Sequence, residues 1–206
     1  MAKKYNWLLA ILFILPLVLA LSGCGEQFGK VDQGRAIGFD KTKKTLTIIR
    51  DSGKDSKAPD YSVLPPVTYA LPEDPHEMGP DPKIGKRMKL DTKARQIVIY
   101  VPETSSFASI GYTLVDQKEN LSGTDPLVYD EAENKDKKFP VIDKAKKTIT
   151  IYSKRLKTLT TFSVPDQYFS LPDDTWDNGD EMRIYYKQEG KASRIMNVSK
   201  TDIFKK

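Results

Sequence analysis

An all-β fold, one unit written twice behind an export signal, is what the sequence predicts, and three observations predict it. Apolar and polar residues alternate with a period of two along most of the chain. Four blocks of the first half recur in the same order in the second. The first 24 residues consist of a basic start, an apolar run and the only cysteine.

The N-terminus comes first. Lys3 and Lys4 precede an apolar run from Trp7 to Leu21, interrupted only by Pro16. A basic start, a short apolar core and small residues at its end define a secretory signal, and the run is too short for a comfortable membrane span. Leu21-Ser22-Gly23-Cys24 resembles the lipobox of bacterial lipoproteins. That resemblance implies lipidation of the Cys24 thiol and cleavage between Gly23 and Cys24. Two or three acyl chains, at about 0.8 kcal/mol per buried CH₂, anchor a protein stably. The expected mature chain begins at Cys24, is extracytoplasmic and hangs from a membrane. Gly25 after the cysteine leans towards the outer membrane, facing the periplasm. The expected organisation is signal peptide 1–23, lipidated tether 24–33, repeat 34–107, connector 108–138 and repeat 139–206.

The repeat begins with DKTKKTLTI at 40–48, which returns as DKAKKTITI at 143–151. Tyr69-Ala70-Leu71-Pro72 aligns with Phe169-Ser170-Leu171-Pro172. Gly85-Lys86-Arg87-Met88 meets Gly179-Asp180-Glu181-Met182, and Val101–Phe107 meets Val198–Phe204. Length changes between blocks fall where Gly, Pro, Asp and Ser gather, as expected when blocks are packed elements and loops absorb insertions. Within the blocks Leu46 and Ile48 alternate with threonines, Met88 and Leu90 with Arg87 and Lys89. This is the signature of half-buried strands.

Strands are therefore expected at 34–39, 45–50, 66–71, 85–90 and 95–101 in the first repeat. The second has them at 138–142, 148–153, 166–171, 181–186 and 193–198. Asp40–Lys44 and Asp143–Lys147 read as hairpin loops whose lysines blunt strand ends. GYTLV at 111–115 is a candidate extra strand; the remaining connector reads as polar, turn-rich linker. Five short antiparallel strands per unit suggest two tandem small barrels of the OB or SH3-like kind. Units of about 70 residues have thin cores, so the copies are expected to pack on each other. One larger sheet built from both halves is the alternative.

Composition narrows function. The chain has 39% hydrophobic and 30% charged residues, ordinary for a soluble body. Removing residues 1–23 takes two lysines, leaving 31 basic against 28 acidic residues, so the net charge falls from +5 to +3. That balance disfavours nucleic acid as a partner. Catalytic resources are poor: His76 is the single histidine, no GxSxG elbow occurs, and the spacing of the acids selects no pair. The expectation is a non-enzyme without a cofactor.

Ligand candidates are few. His76 and Met78 in DPHEMGPDP offer an imidazole and a thioether that suit Cu(I). Trp176 lies in the matching loop of the second repeat, and Tyr185 adds an aromatic surface. No metal site is assigned. The stretch 173–181 fails as a calcium loop, with Trp176 and Tyr185 standing where oxygen ligands belong. Edge binding of a partner strand or peptide is the other use of such aromatics.

GKVDQGRAIGFDKTKKTLTIIRD, followed by PDYSVLPPVTYALPEDPHEMGPDPKIGKRMKLD, is similar to a family of lipoproteins of sulfate-reducing bacteria defined by a domain of unknown function. The resemblance implies a Gram-negative envelope location and supplies no activity, ligand or catalytic residue. The expected role is a lipid-anchored, non-enzymatic interaction or scaffold module with an envelope protein partner. The alternative is a periplasmic carrier of a small ligand or metal ion through His76, Met78 and Trp176.

Overall fold

The structure, a computed structural model, describes residues 28–53 and 59–201. The signal segment, Gly23, Cys24 and the tether up to residue 27 lie outside the described residues. The strands, in chain order, are β1 (Lys30–Asp40), β2 (Thr45–Arg50), β3 (Val67–Ala70), β4 (Arg87–Asp91), β5 (Gln96–Val101), β6 (Ser106–Gly111), β7 (Thr113–Lys118), β8 (Tyr129–Asp130), β9 (Lys135–Asp136), β10 (Val141–Asp143), β11 (Thr148–Ser153), β12 (Thr158–Ser163), β13 (Glu181–Tyr186) and β14 (Arg194–Asn197). One short helix, α1 (Asp166–Phe169), precedes β13. The protein is all-β.

The sheets do not follow the order of the sequence. A five-stranded sheet runs β14-β13-β1-β2-β3, a four-stranded sheet β10-β11-β12-β7 and a three-stranded sheet β4-β5-β6; β8 and β9 form a small hairpin. The first sheet thus takes β1–β3 from before the connector and β13–β14 from the end of the chain. Its seam is the antiparallel pairing of β1 with β13, from Lys30 opposite Tyr186 to Arg35 opposite Glu181. The joint sheet, weighed as the alternative, is closer to this arrangement than two side-by-side barrels.

Burial explains the layering. In β2, Leu46 and Ile48 face a core with Ala36, Tyr69, Met182, Ile184 and Ile195, while Ile49 points the other way onto Tyr61, Met88 and Tyr100. In β5, Ile97 and Ile99 face a second core with Ile110, Ile149, Ile151, Phe162 and Trp176, while Tyr100 turns back towards Ile49. A strand with apolar residues on both faces has to lie between two layers. The three-stranded sheet is that middle layer.

Among the described residues no sheet closes into a barrel, which corrects the OB or SH3-like expectation. The five-stranded sheet curls until its edges nearly meet. The Ala70 N–H donates to the Gly190 carbonyl (2.8 Å) and the Ala192 N–H to that of Ala70 (3.0 Å). Strand β3 ends there, before Pro72, and cannot extend the ladder. The strand expected at 166–171 is also corrected. Pro165 opens α1 over Asp166–Phe169, and the Tyr168 N–H donates to the Pro165 carbonyl (2.8 Å). The third strand of that sheet is instead β12, whose buried face is Thr158, Thr160 and Phe162. Polar threonines at core positions hid it from an apolar pattern. The connector contributes β6, β7 and the β8–β9 hairpin, where mostly linker was expected.

Candidate functional site

The residues singled out from the sequence do not converge. His76 is exposed on a short 3₁₀ turn (Pro75–Glu77), its backbone N–H donating to Asp74 Oδ1 at 2.9 Å. Met78 packs half-buried against the first core, and Gly79 ties its loop to β14 through the Ile195 carbonyl (2.8 Å). Trp176 is 1% exposed and belongs to the second core. Tyr185 is half-buried on β13, its ring covering Gly29 so closely that a β-carbon there would overlap it. Trp176 therefore packs with Ile97, Ile149 and Phe162 rather than on an exposed face. Among the described residues no three His, Cys, Asp or Glu side chains gather with metal-binding geometry.

What the fold does assemble is a cleft of about 1130 Å³. Its walls come from β4, the stretch 136–140, β11 with the turn after it, and the loop 177–180. These lie far apart in sequence, and the topology makes them neighbours. The segments 83–87 and 174–180 run past each other as the chain changes sheets. The Arg87 N–H donates to the Asp177 carbonyl (2.8 Å), the Lys86 N–H to that of Asp174 (3.0 Å) and the Asp180 N–H to that of Lys83 (2.8 Å). Gly85 and Gly179 make this passage possible. A β-carbon on Gly85 would lie 2.4 Å from the Asp177 carbonyl oxygen and the Gly179 nitrogen, and Gly179 has φ +58°.

The cleft is basic. Arg35, Lys83, Arg87, Lys89, Lys137, Lys138, Lys154, Arg155 and Lys200 line it, against Asp136, Asp177 and Asp180. Each of these acids already has a lysine: Asp177 holds Lys83 at 2.8 Å, Asp180 holds Lys200 at 3.3 Å and Asp136 pairs with Lys154. Asp180 is also fixed by Asn197 Nδ2 (2.8 Å) and the Lys83 N–H (2.8 Å), so it serves as an internal clamp.

The two arginines are half-buried. Arg35 Nη1 donates to the backbone carbonyls of Arg87 (2.9 Å) and Met88 (3.0 Å), and its guanidinium lies 4.4 Å from the centre of the Tyr61 ring. The Tyr61 hydroxyl donates to Glu181 Oε2 (2.6 Å), and burial pushes that phenol's pKa upward. Arg87 Nε donates to the Trp176 carbonyl (2.9 Å). Burial, then the charge of Arg35, push Arg87 down to about 10, and Asp177 opposes the shift. Arg87 still carries its charge at neutral pH.

The sequence reading missed both arginines. In strands, Arg35 and Arg87 stand where alternation places solvent-facing residues, and a lone arginine on a polar face announces nothing. The available signal was the pair of matching glycines, Gly85 and Gly179, each just ahead of a strand.

Fold and site together define an all-β chain with a basic cleft where its sheets cross. It belongs to the family of the domain of unknown function DUF4881, which spans residues 27–206. No curated protein and no solved structure matches the chain.

Proposed function

We propose that this is a lipid-anchored, extracytoplasmic protein of the cell envelope that works by binding, without catalysis, and that its binding face is the basic cleft. The carrying observation is the charge imbalance of that cleft, nine basic side chains against three acids, each acid already matched to a lysine, while Arg35 and Arg87 have no carboxylate oxygen within 4.0 Å among the described residues. Electrostatic complementarity of this kind selects and steers an anionic partner. The anchor at Cys24, the placement in lipoproteins of sulfate-reducing bacteria and the origin by duplication belong to the same reading. They rest on the lipobox resemblance and on the matching blocks. The carrier reading survives in one form, a small anionic ligand held in the cleft. As a metal carrier it loses support, because Trp176 is core and His76 stands apart.

The test is site-specific photo-cross-linking in native cells. A photoreactive residue at Leu156, exposed on the cleft rim, is compared with one at Val31, exposed on the five-stranded sheet. A discrete adduct at Leu156, absent at Val31 and lost in Cys24→Ser, is the expected result. Equal adducts at both positions, or none at Leu156, would sink the proposal. Mass measurement of the N-terminal peptide reads the lipid on Cys24 directly.

A further inference from the structure

Arg35 and Arg87 are built for more than holding strands together. A guanidinium offers five N–H donors in a rigid fork. Arg35 Nη1 and Arg87 Nε donate to backbone carbonyls and Arg35 also engages Tyr61, while neither Nη group of Arg87 donates to a protein acceptor among the described residues. Neither has a carboxylate oxygen within 4.0 Å among the described residues. Glu181 stands opposite Arg35 in the strand register, but it accepts from Tyr61 instead, and Asp177 beside Arg87 is occupied by Lys83. Two half-buried cations without a carboxylate in salt-bridge contact repel each other, and one doubly charged group between them removes that repulsion.

Resting on the reading of the cleft as the binding face, the geometry points to a phosphate monoester or pyrophosphate group as what it holds, gripped by Arg35 and Arg87. Phosphate monoesters carry close to two negative charges at pH 7 and present three strong acceptor oxygens. Guanidinium forks match phosphate oxygens two at a time, which a lysine cannot do. Lys137 and Lys138 are exposed cations in the cleft lining, Lys137 Nζ also donating to the Pro126 carbonyl (2.7 Å). Leu90 and Phe139 provide apolar wall for an organic body attached to the phosphate. The volume, about 1130 Å³, exceeds what a small organic phosphate needs.

The experiment is calorimetric titration of the full chain, in neutral detergent at physiological salt, with inorganic pyrophosphate and with citrate. Nanodiscs with and without phosphatidic acid follow. One pyrophosphate per chain, with citrate at least tenfold weaker, is the expected result. Arg87→Lys, which keeps the charge and loses the fork, should weaken binding at least tenfold. Lys137→Gln with Lys138→Gln, both exposed and outside the cores, should weaken it a few-fold and serves if Arg87→Lys fails to fold. Lys30→Gln, at the start of β1 and outside the cleft lining, should change nothing. Binding to phosphatidic acid discs but not to pyrophosphate would place the phosphate on a lipid headgroup; the reverse would place it on a soluble ligand. Failure of both phosphate probes, equal binding of citrate, or full affinity in a folded Arg87→Lys overturns the assignment. If it fails while Leu156 still cross-links, the cleft remains the binding face and only the ligand class falls.

Discussion

Lys44, Arg95, Asn134, Lys147 and Lys157 all adopt the left-handed conformation, with φ between 50° and 52°. Each is the last residue of a four-residue hairpin loop that closes on a paired strand. The first residue of each motif accepts the N–H three positions on: Asp40 from Lys43 (2.8 Å), Asp91 from Ala94 (2.9 Å), Asp143 from Lys146 (2.9 Å), Asp130 from Glu133 (3.2 Å) and Ser153 Oγ from Leu156 (3.3 Å). So DKTKK and DKAKK are two of five uses of one turn, and their final lysines hold a backbone position as well as blunting strand ends. The other three, DTKAR, DEAEN and SKRLK, share only the capping first residue and a long or amide side chain at the end. That is why β12, which follows SKRLK, was illegible. The turns carry a pH consequence. Backbone N–H donation by Lys43 holds the Asp40 carboxyl below its ordinary 3.8, and donation by Ala94 does the same for Asp91. A folded pKa below the unfolded one stabilises above the unfolded value and ceases to as pH falls through the folded value. Thermal melts between pH 2 and 6 should therefore show stability dropping below about pH 4. Asp40→Asn with Asp91→Asn should flatten that acid limb; an unchanged limb would contradict the role given to the caps.

Element boundaries were read well where apolar and polar residues alternate and poorly elsewhere. Thr45–Arg50, Thr148–Ser153 and Glu181–Tyr186 fall where alternation placed them. β5 shows what alternation omits. QIVIYV reads as a half-buried strand, yet Tyr100 is buried on the face opposite Ile97 and Ile99, so β5 lies between two layers. Its side chains should be costly to truncate. Ile97→Ala removes a fully buried side chain from the second core and should cost about 2–5 kcal/mol. Val141→Ala, half-exposed on β10, should stay within about 0.5 kcal/mol. Urea unfolding monitored by tryptophan fluorescence measures both, because Trp176 sits in that core. Similar costs for the two would mean that β5 is not the middle layer. The basic cleft stayed hidden for a related reason. Its walls are the polar faces of several elements, and nothing in any single element marks the convergence.

For the whole molecule, the legible part was the inventory of matching blocks and the hidden part their partnership. Repetition in a sequence does not say whether a copy pairs with itself or with the other. Here β13 joins β1, and the core between the middle and four-stranded sheets draws Ile97 and Ile110 from one half and Ile149 and Phe162 from the other. Neither half encloses a complete core. Residues 139–206 produced alone should therefore give a collapsed amide spectrum. Mixing them with residues 25–138 should restore dispersion at a one-to-one ratio. A dispersed spectrum from the isolated half would show that it completes its own sheet.

The pairing of β1 with β13 also sets a timetable. During synthesis at roughly 5–20 residues per second, β1 waits on the order of ten seconds or more for the strand that covers its edge. Through that interval the growing chain exposes a ready ladder of N–H and C=O groups and half a core, and the nearest matching strand can belong to a neighbouring chain. A chain of this design gains from staying unfolded until its last third has arrived, so its exposure to wrong pairing is written into its strand order.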